Sequence, residues 1–328
     1  MNIYQASDSS MNTDKGKRML AFILQAYPFL ESVEFSIEPF DFHAYPVPAD
    51  VSESETAERE INGGLNKFVY VPGTAAGSQK AYGYEFEVDQ AYLNDLNSGV
   101  STPEALRRRL ENEQLRLAKK VASRVVNHMF SGSGAGTQIL GLRNFIKDVA
   151  AEEGQTAYYG LTQEQIHSSL IPGNLTLDLA FEKDLYLFKE MIFRAMTEME
   201  GTPAILCNEY MAIRMTSIAE KLKLAGTITT PFGTVLKTFG DSPIVKVPVS
   251  ALPFDESDGE NADCSSLFIV NYDEVDGVRV ATNAGFKFTD FASIETKPTG
   301  KSRLEFYGNH KIEDVRKIKR ISRVRLGD

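Results

Sequence analysis

Residues 101–134, STPEALRRRLENEQLRLAKKVASRVVNHMFSGSG, predict one long helix with a start and a stop signal. Ser101 is a residue type that caps helices, and Pro103 suits the first helical position, where its missing N–H would have no partner. The glycine-rich run 131–136 ends the helix. At about 1.5 Å per residue, a helix over 103–130 is roughly 40 Å long, about the width of a small domain. We expect such a rod in a thin, extended, shell-forming subunit rather than in a compact enzyme.

The apolar pattern of this helix changes along its length. Its first half carries only a narrow stripe that includes Leu106, Leu110 and Leu117. From Ala118 onward the helix is apolar on most sides. We therefore expect the first half to lie across a surface and the second half to enter a core.

The segment before the helix predicts a long β-hairpin. Residues 33–37 and 41–45 alternate as strands do, and residues 67–71 and 81–89 do the same. The stretch between these pairs is rich in Pro, Ser and Glu without periodicity, which predicts an irregular tip at about 48–62. A hairpin of this kind buries little apolar surface by itself and is marginal in water. We expect a neighbouring subunit to cover it.

The N-terminal segment predicts one short helix. Residues 1–13 are polar, and we expect them to be mobile until they dock. Asp14 can cap a helix whose apolar side runs from Met19 to Tyr27, and Pro28 should end it.

Composition places the chain among ordinary globular proteins. Its 328 residues are 42% hydrophobic and 24% charged, which allows one large or two modest cores. The sequence contains no apolar run near the ~20 residues that span a bilayer, and the N-terminus lacks the apolar stretch of a signal peptide. These features predict a cytosolic product. Cys207 and Cys264 are far apart, so we expect two small buried side chains rather than a disulfide.

Charge is unevenly distributed. A formal net charge of -10 disfavours a dedicated nucleic-acid-binding protein but is compatible with a place beside packaged nucleic acid. The acidic stretch 255–263 predicts a solvated loop. The basic tail 311–328 is consistent either with subunit contacts or with a solvated surface.

Residues 151–284 predict a separate α/β lobe. Helices are expected over 177–200 and from Asn208 to about 221, and the end of the chain, with a turn at 297–301, returns to β structure. The expected strands are short apolar or alternating runs: 204–207, 234–238, 244–247, 267–270, 278–281, 286–288, 302–307 and 321–324.

A search for catalytic motifs finds none that fits its required context. The run from Gly132 to Gly136 follows a helix, whereas a dinucleotide fingerprint must follow a strand. The sequence has no Walker P-loop and no G-x-S-x-G elbow, and its four histidines lack metal-ligand spacing. His128 and His310 are interpreted as structural residues. We therefore predict no catalytic residue, no cofactor and no metal, and a protein that is not an enzyme.

Three stretches of the chain, in this order, resemble one family. The first is Tyr82–Asp89, YGYEFEVD, leading into the long helix. The second is the helix end at 127–132 followed by Ile-Leu-Gly-Leu at 139–142, which is similar to an FxG…GL transition. The third is RLEFYGN at 303–309 with the strand that follows. Together they resemble the major capsid proteins of tailed bacteriophages, which have the Hong Kong 97 fold.

The resemblance implies an α+β fold of four parts. These would be an N-terminal arm at 1–33, an extended β-hairpin loop at 34–90, a peripheral domain combining 91–150 with 285–328 and containing the spine helix, and an axial domain at 151–284. In such shells the axial domains gather at five-fold and six-fold axes, and the extended loop lies over the next subunit.

The resemblance also implies subunit-interface residues on these segments. Most carry charge, and they are Ser54, Glu58, Lys67, Lys80, Arg107, Arg108, Lys297, Lys301, Arg320 and Arg323. The segment Lys297–Lys301 would meet neighbours around three-fold axes. The founding member joins subunits by a Lys–Asn bond, but no motif aligns Lys67, Lys80 or Asn309 with it, so no cross-link is predicted.

The predicted function is therefore that of a structural subunit. It would form hexamers and pentamers of an icosahedral shell around phage double-stranded DNA, without sequence-specific binding and without a membrane. The product would be a virion capsid assembled in the host cytoplasm, with portal, decoration and scaffolding functions supplied by separate proteins where present. Two alternatives stay open: an encapsulin-type compartment shell, and an α/β enzyme or binding module whose site the sequence does not reveal.

Overall fold

The fold was analysed in a computed structural model. It describes residues 1–44, 75–89, 91, 104–149, 156–158, 161–199, 201–230, 233–259, 263–272, 277–294 and 297–327. The predicted hairpin tip at 48–62 lies outside the described residues, and so do the predicted capping residues Ser101 and Pro103.

The described chain contains seven α-helices and thirteen strands, and helices and strands alternate only between β5 and β7. The helices are α1 (Ile3–Ala6), α2 (Asp14–Ala26), α3 (Glu104–Ser131), α4 (Leu142–Phe145), α5 (Gln163–His167), α6 (Glu182–Thr197) and α7 (Glu209–Lys221). The strands are β1 (Phe35–Ile37), β2 (Asp41–Ala44), β3 (Ala75–Ser78), β4 (Lys80–Asp89), β5 (Leu170–Leu177), β6 (Ala204–Asn208), β7 (Ala225–Thr229), β8 (Val235–Phe239), β9 (Ser242–Val247), β10 (Cys264–Val270), β11 (Val278–Ile294), β12 (Lys297–Ile312) and β13 (Ile318–Leu326).

The larger sheet has seven strands in the order β5-β13-β10-β6-β9-β8-β7. Both faces of its centre are covered, so β10 is buried at every position. Leu267 and Ile269 face one hydrophobic cluster together with α6 and α7, while Phe268 and Val270 face a second cluster. The two-residue period of a strand thus explains why a continuous apolar run belongs here.

The smaller sheet has four strands in the order β1-β11-β12-β4 and packs against the long helix α3. From Ala118 onward, the apolar side chains of α3 are at most 1% exposed and share a cluster with Phe286 and Phe306 of the sheet. This confirms that the second half of the helix enters a core. With 28 residues at ~1.5 Å each, α3 is ~42 Å long.

An aromatic contact joins the N-terminal segment, the long helix and the larger sheet. Phe130 at the end of α3 is fully buried, with its ring centroid 5.1 Å from that of Phe29 and 6.1 Å from that of Phe268. The N-terminal segment, the long helix and the larger sheet therefore share one core at this point.

The N-terminal segment does not behave as the sequence led us to expect. Residues 1–13 were expected to stay mobile until docked, yet Ile3, Ala6 and Met11 are buried in the chain's own core. Met19, Leu20, Ile23 and Leu24 of α2 join them, and the helix is capped by the Thr13 side chain rather than by Asp14. Three apolar side chains, separated by polar residues, thus hold this segment against the core of its own subunit.

Within the described residues, β2 and β3 pair as the two arms of the predicted hairpin, from Asp41 opposite Ser78 to Ala44 opposite Ala75. Strand β1 pairs in parallel with β11, and β4 pairs with β12. These long-range pairings place residues 35–37 and 80–89 in the smaller sheet instead of in a free flap.

Two element boundaries are corrected, and two strands lie in a different sheet from their neighbours in the predicted domain ranges. The helix predicted from Leu177 begins at Glu182, because β5 continues to Leu177 beside β13. The turn predicted at 297–301 is already part of β12, which pairs with β11 from Lys297 opposite Ile294. Strand β13, assigned by sequence to the peripheral range 285–328, lies inside the larger sheet between β5 and β10. Conversely, β11 begins at Val278, inside the predicted axial range, and belongs to the smaller sheet.

Candidate functional site

Tyr82 connects β4, α3 and the loop that follows α3. Its hydroxyl accepts the N–H of Ile139 at 2.9 Å and lies 2.9 Å from Nδ1 of His128. Burial lowers the pKa of His128, and the nearby Arg124 cation lowers it further. Nδ1 of the neutral imidazole can therefore accept a hydrogen bond from the Tyr82 hydroxyl.

Two adjacent residues of β12 hold the same loop from the other side. The N–H of Leu140 donates to Oδ1 of Asn309 at 3.0 Å, and Nδ1 of His310 lies 2.8 Å from the Leu140 carbonyl oxygen. Since a carbonyl only accepts, Nδ1 of His310 carries the hydrogen. Burial lowers the pKa of His310 to about 4, so the ring is neutral near pH 7. The Asn309 amide also donates to the carbonyl of Ser78 at 2.8 Å, which leaves it 5% exposed and engaged within its own subunit.

Two glycines explain the FxG…GL pattern physically. The N–H of Gly141 donates to the carbonyl of Gly132 at 2.8 Å, which closes the loop after α3. A Cβ on Gly132 would overlap the carbonyl oxygen of Ile139, and a Cβ on Gly141 would overlap the backbone of Phe130. Only glycine permits this approach of two backbone segments.

A buried ion cluster joins the basic tail to the acidic loop. Arg320 is 3% exposed; its Nη2 lies 2.6 Å from Oε1 of Glu256, and its Nε donates to Ser266 at 2.8 Å. Its Nη1 donates to the carbonyls of Arg143 and Ile146 at 3.1 and 2.5 Å. Desolvation lowers the pKa of Arg320, but that guanidinium remains charged beside the Glu256 carboxylate.

Other charges of the tail are paired in the same way. Arg323 donates to Asp148 at 2.8 Å, Lys319 lies 2.7 Å from Glu198, and Arg325 lies 3.1 Å from Asp263. The acidic stretch 255–263 is therefore not simply a solvated loop. Two of its carboxylates, Glu256 and Asp263, pair with arginines of the basic tail in the same subunit.

The outer face of β4 and β12 carries a ladder of opposite charges. Glu85 is paired with both Lys301 and Arg303, and Glu87 lies 2.9 Å from Lys301. The hydrogen bonds from Lys301 and Arg303 lower the pKa of Glu85. Because these pairs are solvated, they fix the register of the edge strand more than they stabilise the fold.

A basic groove runs between β4 and α3. We define it by Arg116, Lys119, Lys120 and Arg124 of α3 with Tyr27 and Tyr84, and it has a volume of about 470 Å³. Nζ of Lys120 lies 4.2 Å from the centre of the Tyr84 ring, a cation–π contact that holds the ammonium in place. A second cavity of about 310 Å³, reaching His128, shares Tyr84 and Arg124 with the groove and extends it along the helix.

The larger-sheet lobe exposes large apolar side chains on three elements. Isolated residues of this kind are ordinary, but here they recur along α6, α7 and the β7–β8 hairpin. They are 44–63% exposed: Phe181, Tyr186, Leu187, Tyr210, Ile213, Ile228 and Val235. We call this set the apolar lobe surface.

Within the described ranges, no group of His, Cys, Asp and Glu is arranged to hold a metal ion. No described helix is both long and apolar enough to cross a membrane. Cys207 and Cys264 are buried and unbonded to each other, as the sequence predicted.

Solved structures with the same arrangement of elements are shell proteins. The capsid protein of cyanophage A-1(L) aligns with a TM-score of 0.55 at 13% identity, covering 93% of this chain and 92% of that one. The SrpI encapsulin of Synechococcus elongatus PCC 7942 aligns with a TM-score of 0.53 at 12% identity, over 90% and 86% of the two chains. The capsid of an empty GTA particle gives 0.53 at 12% identity, over 92% and 89%. The chain has the Hong Kong 97-type fold.

The likeness to known proteins is found in the three-dimensional structure and not in the amino-acid sequence. No protein-family model matches the sequence, and no curated protein matches it. At such low identity the likeness establishes the fold, and it extends over nearly the whole length of both partners.

The predicted interface residues lie on separate elements of this fold. Lys80 donates to the carbonyl of Gly136 at 2.9 Å, and Lys301 belongs to the charge ladder. Arg108 is exposed on α3. Arg323 is half-buried beside Asp148. Ser54, Glu58 and Lys67 lie outside the described residues, as do the side chains of Arg107 and Lys297.

Arg320 was predicted to lie at a subunit interface, but its side chain is buried within its own subunit. Its guanidinium is enclosed by Glu256, Ser266 and two backbone carbonyls of its own subunit. A side chain so enclosed stabilises the fold of one subunit rather than forming an exposed contact.

The sequence did not predict which carboxylates pair with the basic tail, and it did not predict the basic groove. The only local signal for the ion cluster is the opposite charge of 255–263 and 311–328. The groove has a clearer signal, because Arg116, Lys119, Lys120 and Arg124 follow the helical period on one side of α3.

Proposed function

We propose that this chain is the structural subunit of an icosahedral shell that encloses phage double-stranded DNA. The observation that supports this most is the length of the structural match. Over 90% of the chain corresponds to a capsid protein, in the same order of elements, with no large part of either chain left over. A fold can host several functions, so the assignment rests on the fold together with the surfaces described below.

The apolar lobe surface supports a role in assembly. Side chains such as Tyr210 and Ile213, one turn apart on α7, are 58% and 61% exposed in the single chain. Covering such residues removes about 25 cal/mol of unfavourable free energy per Å² of apolar area. Repeated around an axis, modest contacts of this kind stabilise a ring while each one remains reversible. In this proposal the lobe of the larger sheet is the axial domain of hexamers and pentamers.

The other segments of the chain are assigned to the remaining parts of the capsid fold. The smaller sheet with α3 is the peripheral domain, and the segment between β2 and β3 is the extended loop that reaches a neighbouring subunit. Lys297–Lys301 is proposed to contact neighbours near three-fold axes. Residues 1–37 form part of the subunit core, so they are not proposed as a reaching arm. The product acts as a non-enzymatic virion component assembled in host cytoplasm, with separate portal, decoration or scaffolding proteins.

A second candidate is an encapsulin-type compartment shell. Its support is the match to SrpI, which has nearly the same TM-score as the capsid matches. The two candidates differ in content, because a phage shell encloses DNA and a compartment shell encloses protein cargo. An α/β enzyme remains the least supported alternative.

One experiment separates these candidates. The full-length chain is expressed, purified on a sizing column and imaged by negative-stain electron microscopy, and the particles are assayed for nucleic acid and co-purifying protein. Closed shells support the shell function, and shells that retain DNA when produced with packaging proteins support the phage assignment. Shells that exclude DNA and retain a protein cargo favour the compartment. A stable monomer contradicts both.

Deleting 48–62 tests the extended loop. We expect a folded, soluble chain that no longer forms stable closed shells. Normal shells from this variant would contradict the proposed role of the loop.

A further inference from the structure

The basic groove stands out against the charge of the whole chain. The protein has a formal net charge of -10, yet Arg116, Lys119, Lys120 and Arg124 line one continuous groove. No acidic side chain lines it among the described residues. Such a local concentration of cations creates a positive potential that the acidic remainder of the surface does not cancel at short range.

Most of these cations are available to a ligand. In the described part of the chain no carboxylate pairs with Lys119, Lys120 or Arg124, and only Arg116 has an ion pair, with Glu113 at 2.8 Å. Some surface cations elsewhere are paired with carboxylates, such as Lys301, Arg303 and Arg325. The groove gathers three cations that no described carboxylate neutralises, namely Lys119, Lys120 and Arg124.

We infer that the basic groove binds the phosphate backbone of nucleic acid without reading its sequence. The cations recur along α3 with the helical period, and the groove with its extension runs from Arg116 to His128, about 18 Å at ~1.5 Å per residue. One strand of B-form DNA has a phosphate every ~3.4 Å of axis, so about five phosphates fit this length. Cations provide affinity for a backbone. The two amides that line the groove and its extension already bind within the chain, since Asn127 Oδ1 accepts from Ser250 at 2.9 Å and Gln138 Oε1 accepts from Ser133 at 3.0 Å.

The two tyrosines have separate effects. Tyr84 holds the ammonium of Lys120 above its ring, so that this cation loses less conformational entropy on binding. Tyr27 begins the turn that ends α2 and closes one wall of the groove. An acidic peptide of another copy would also be attracted to such cations, but evenly spaced charges along a rigid helix fit a regular polyanion better. The inference rests on the proposed shell function, because packaged nucleic acid is the ligand that such a subunit would meet.

The test measures binding of the purified full-length chain to two unrelated duplexes of about 20 base pairs over a range of salt concentrations. If four cations contact phosphates, the slope of log K against log salt is about -3.6, and affinity falls about 150-fold between about 50 and about 200 mM salt. The triple variant Lys119→Gln, Lys120→Gln, Arg124→Gln should reduce that loss to about 3- to 4-fold and should weaken binding to both duplexes equally. The single variant Lys119→Gln should change the slope by about 0.9.

The matched control removes three exposed lysines from the larger-sheet lobe, Lys183→Gln, Lys237→Gln and Lys246→Gln. It changes net charge equally and should keep the wild-type slope. If the triple and the control variants bind alike, the inference is wrong. If binding prefers one duplex, the sequence-independent part of the inference is wrong.

Electron microscopy of the same samples distinguishes the inference from the proposed function. Shells from the triple variant together with a reduced salt slope support both. DNA binding by a wild-type chain that never forms shells supports the groove and contradicts the shell function. Loss of shells in the triple variant, with the salt slope unchanged, assigns the groove to a contact with another copy and overturns the inference. Circular dichroism confirms that each variant is folded, which is expected because all three side chains are exposed.

Discussion

The ion pair between Arg320 and Glu256 should be among the most sensitive polar contacts of the subunit. The two side chains are 3% and 8% exposed, and Nη2 lies 2.6 Å from Oε1. Glu256→Gln removes the negative charge and leaves the Arg320 cation in a site from which water is excluded. Leaving one buried charge without its partner costs about 3–5 kcal/mol.

A double-mutant cycle isolates this effect. Arg320→Met alone leaves the Glu256 carboxylate buried and should cost a similar amount. The double variant removes both charges, so its loss of stability should be close to that of one single variant, which gives a coupling energy of about 3–5 kcal/mol. Glu198→Gln serves as the control, because Glu198 pairs with Lys319 on the same strand but is half exposed, and it should cost less than about 1 kcal/mol.

The assay is urea unfolding of the unassembled chain followed by far-ultraviolet circular dichroism, since the sequence contains no tryptophan for fluorescence. The free energy of unfolding is compared among wild type, the two single variants, the double variant and the control. Additive single effects, or a loss below about 1 kcal/mol for Glu256→Gln, would refute the assignment of this pair to the interior of one subunit.

Three further predictions concern the core, the pH dependence and assembly. Phe130→Ala should lower the free energy of unfolding by about 3–5 kcal/mol, because it removes the ring that packs between Phe29 and Phe268, whereas Phe181→Ala, 61% exposed, should change it by less than about 0.5 kcal/mol. His310 is neutral when folded and has a pKa of about 4, below its usual 6.5, so its contribution is complete above pH 6.5 and is lost as pH falls toward 4. Relative to His310→Gln, the wild type should lose about 1 kcal/mol by pH ~5.5 and roughly 2–3 kcal/mol by pH ~4.5 in urea titrations, and parallel curves for the two proteins would disprove this. Tyr210→Ser with Ile213→Ser should leave the unfolding free energy within about 0.5 kcal/mol of wild type but reduce the yield of shells, and an unchanged yield beside the control Lys183→Gln would exclude this part of the apolar lobe surface from assembly.

Local signals in the sequence predicted the elements well. The long helix appears at 104–131 where its glycine stop and its apolar pattern placed it. Asn208 caps α7 as expected, with its side chain accepting the N–H of Met211 at 2.9 Å. Such features depend on neighbours within one or two turns, which a single sequence displays directly.

Pairings between distant segments were not predictable in the same way. Nothing near 318–326 indicates that this strand inserts between β5 and β10, and nothing near 1–13 indicates that Ile3 finds a pocket in the core. The partners of Arg320 are likewise 54 to 177 residues away. These choices are decided by packing of the whole chain, so propensity and periodicity leave them open.

The basic groove and the apolar lobe surface also differ in how far the sequence alone reveals them. The cations of the basic groove recur at helical spacing along α3, so the sequence alone places them on one side of that helix. The apolar lobe surface combines residues from α6, α7 and the β7–β8 hairpin, so only the folded chain brings it into view.

Copies of this chain are proposed to assemble into a closed shell. Electron microscopy of the purified full-length protein tests this assembly most directly. We expect hollow particles of uniform diameter in which rings of five and six subunits can be recognised. A monodisperse monomer under conditions in which the chain is folded would contradict it.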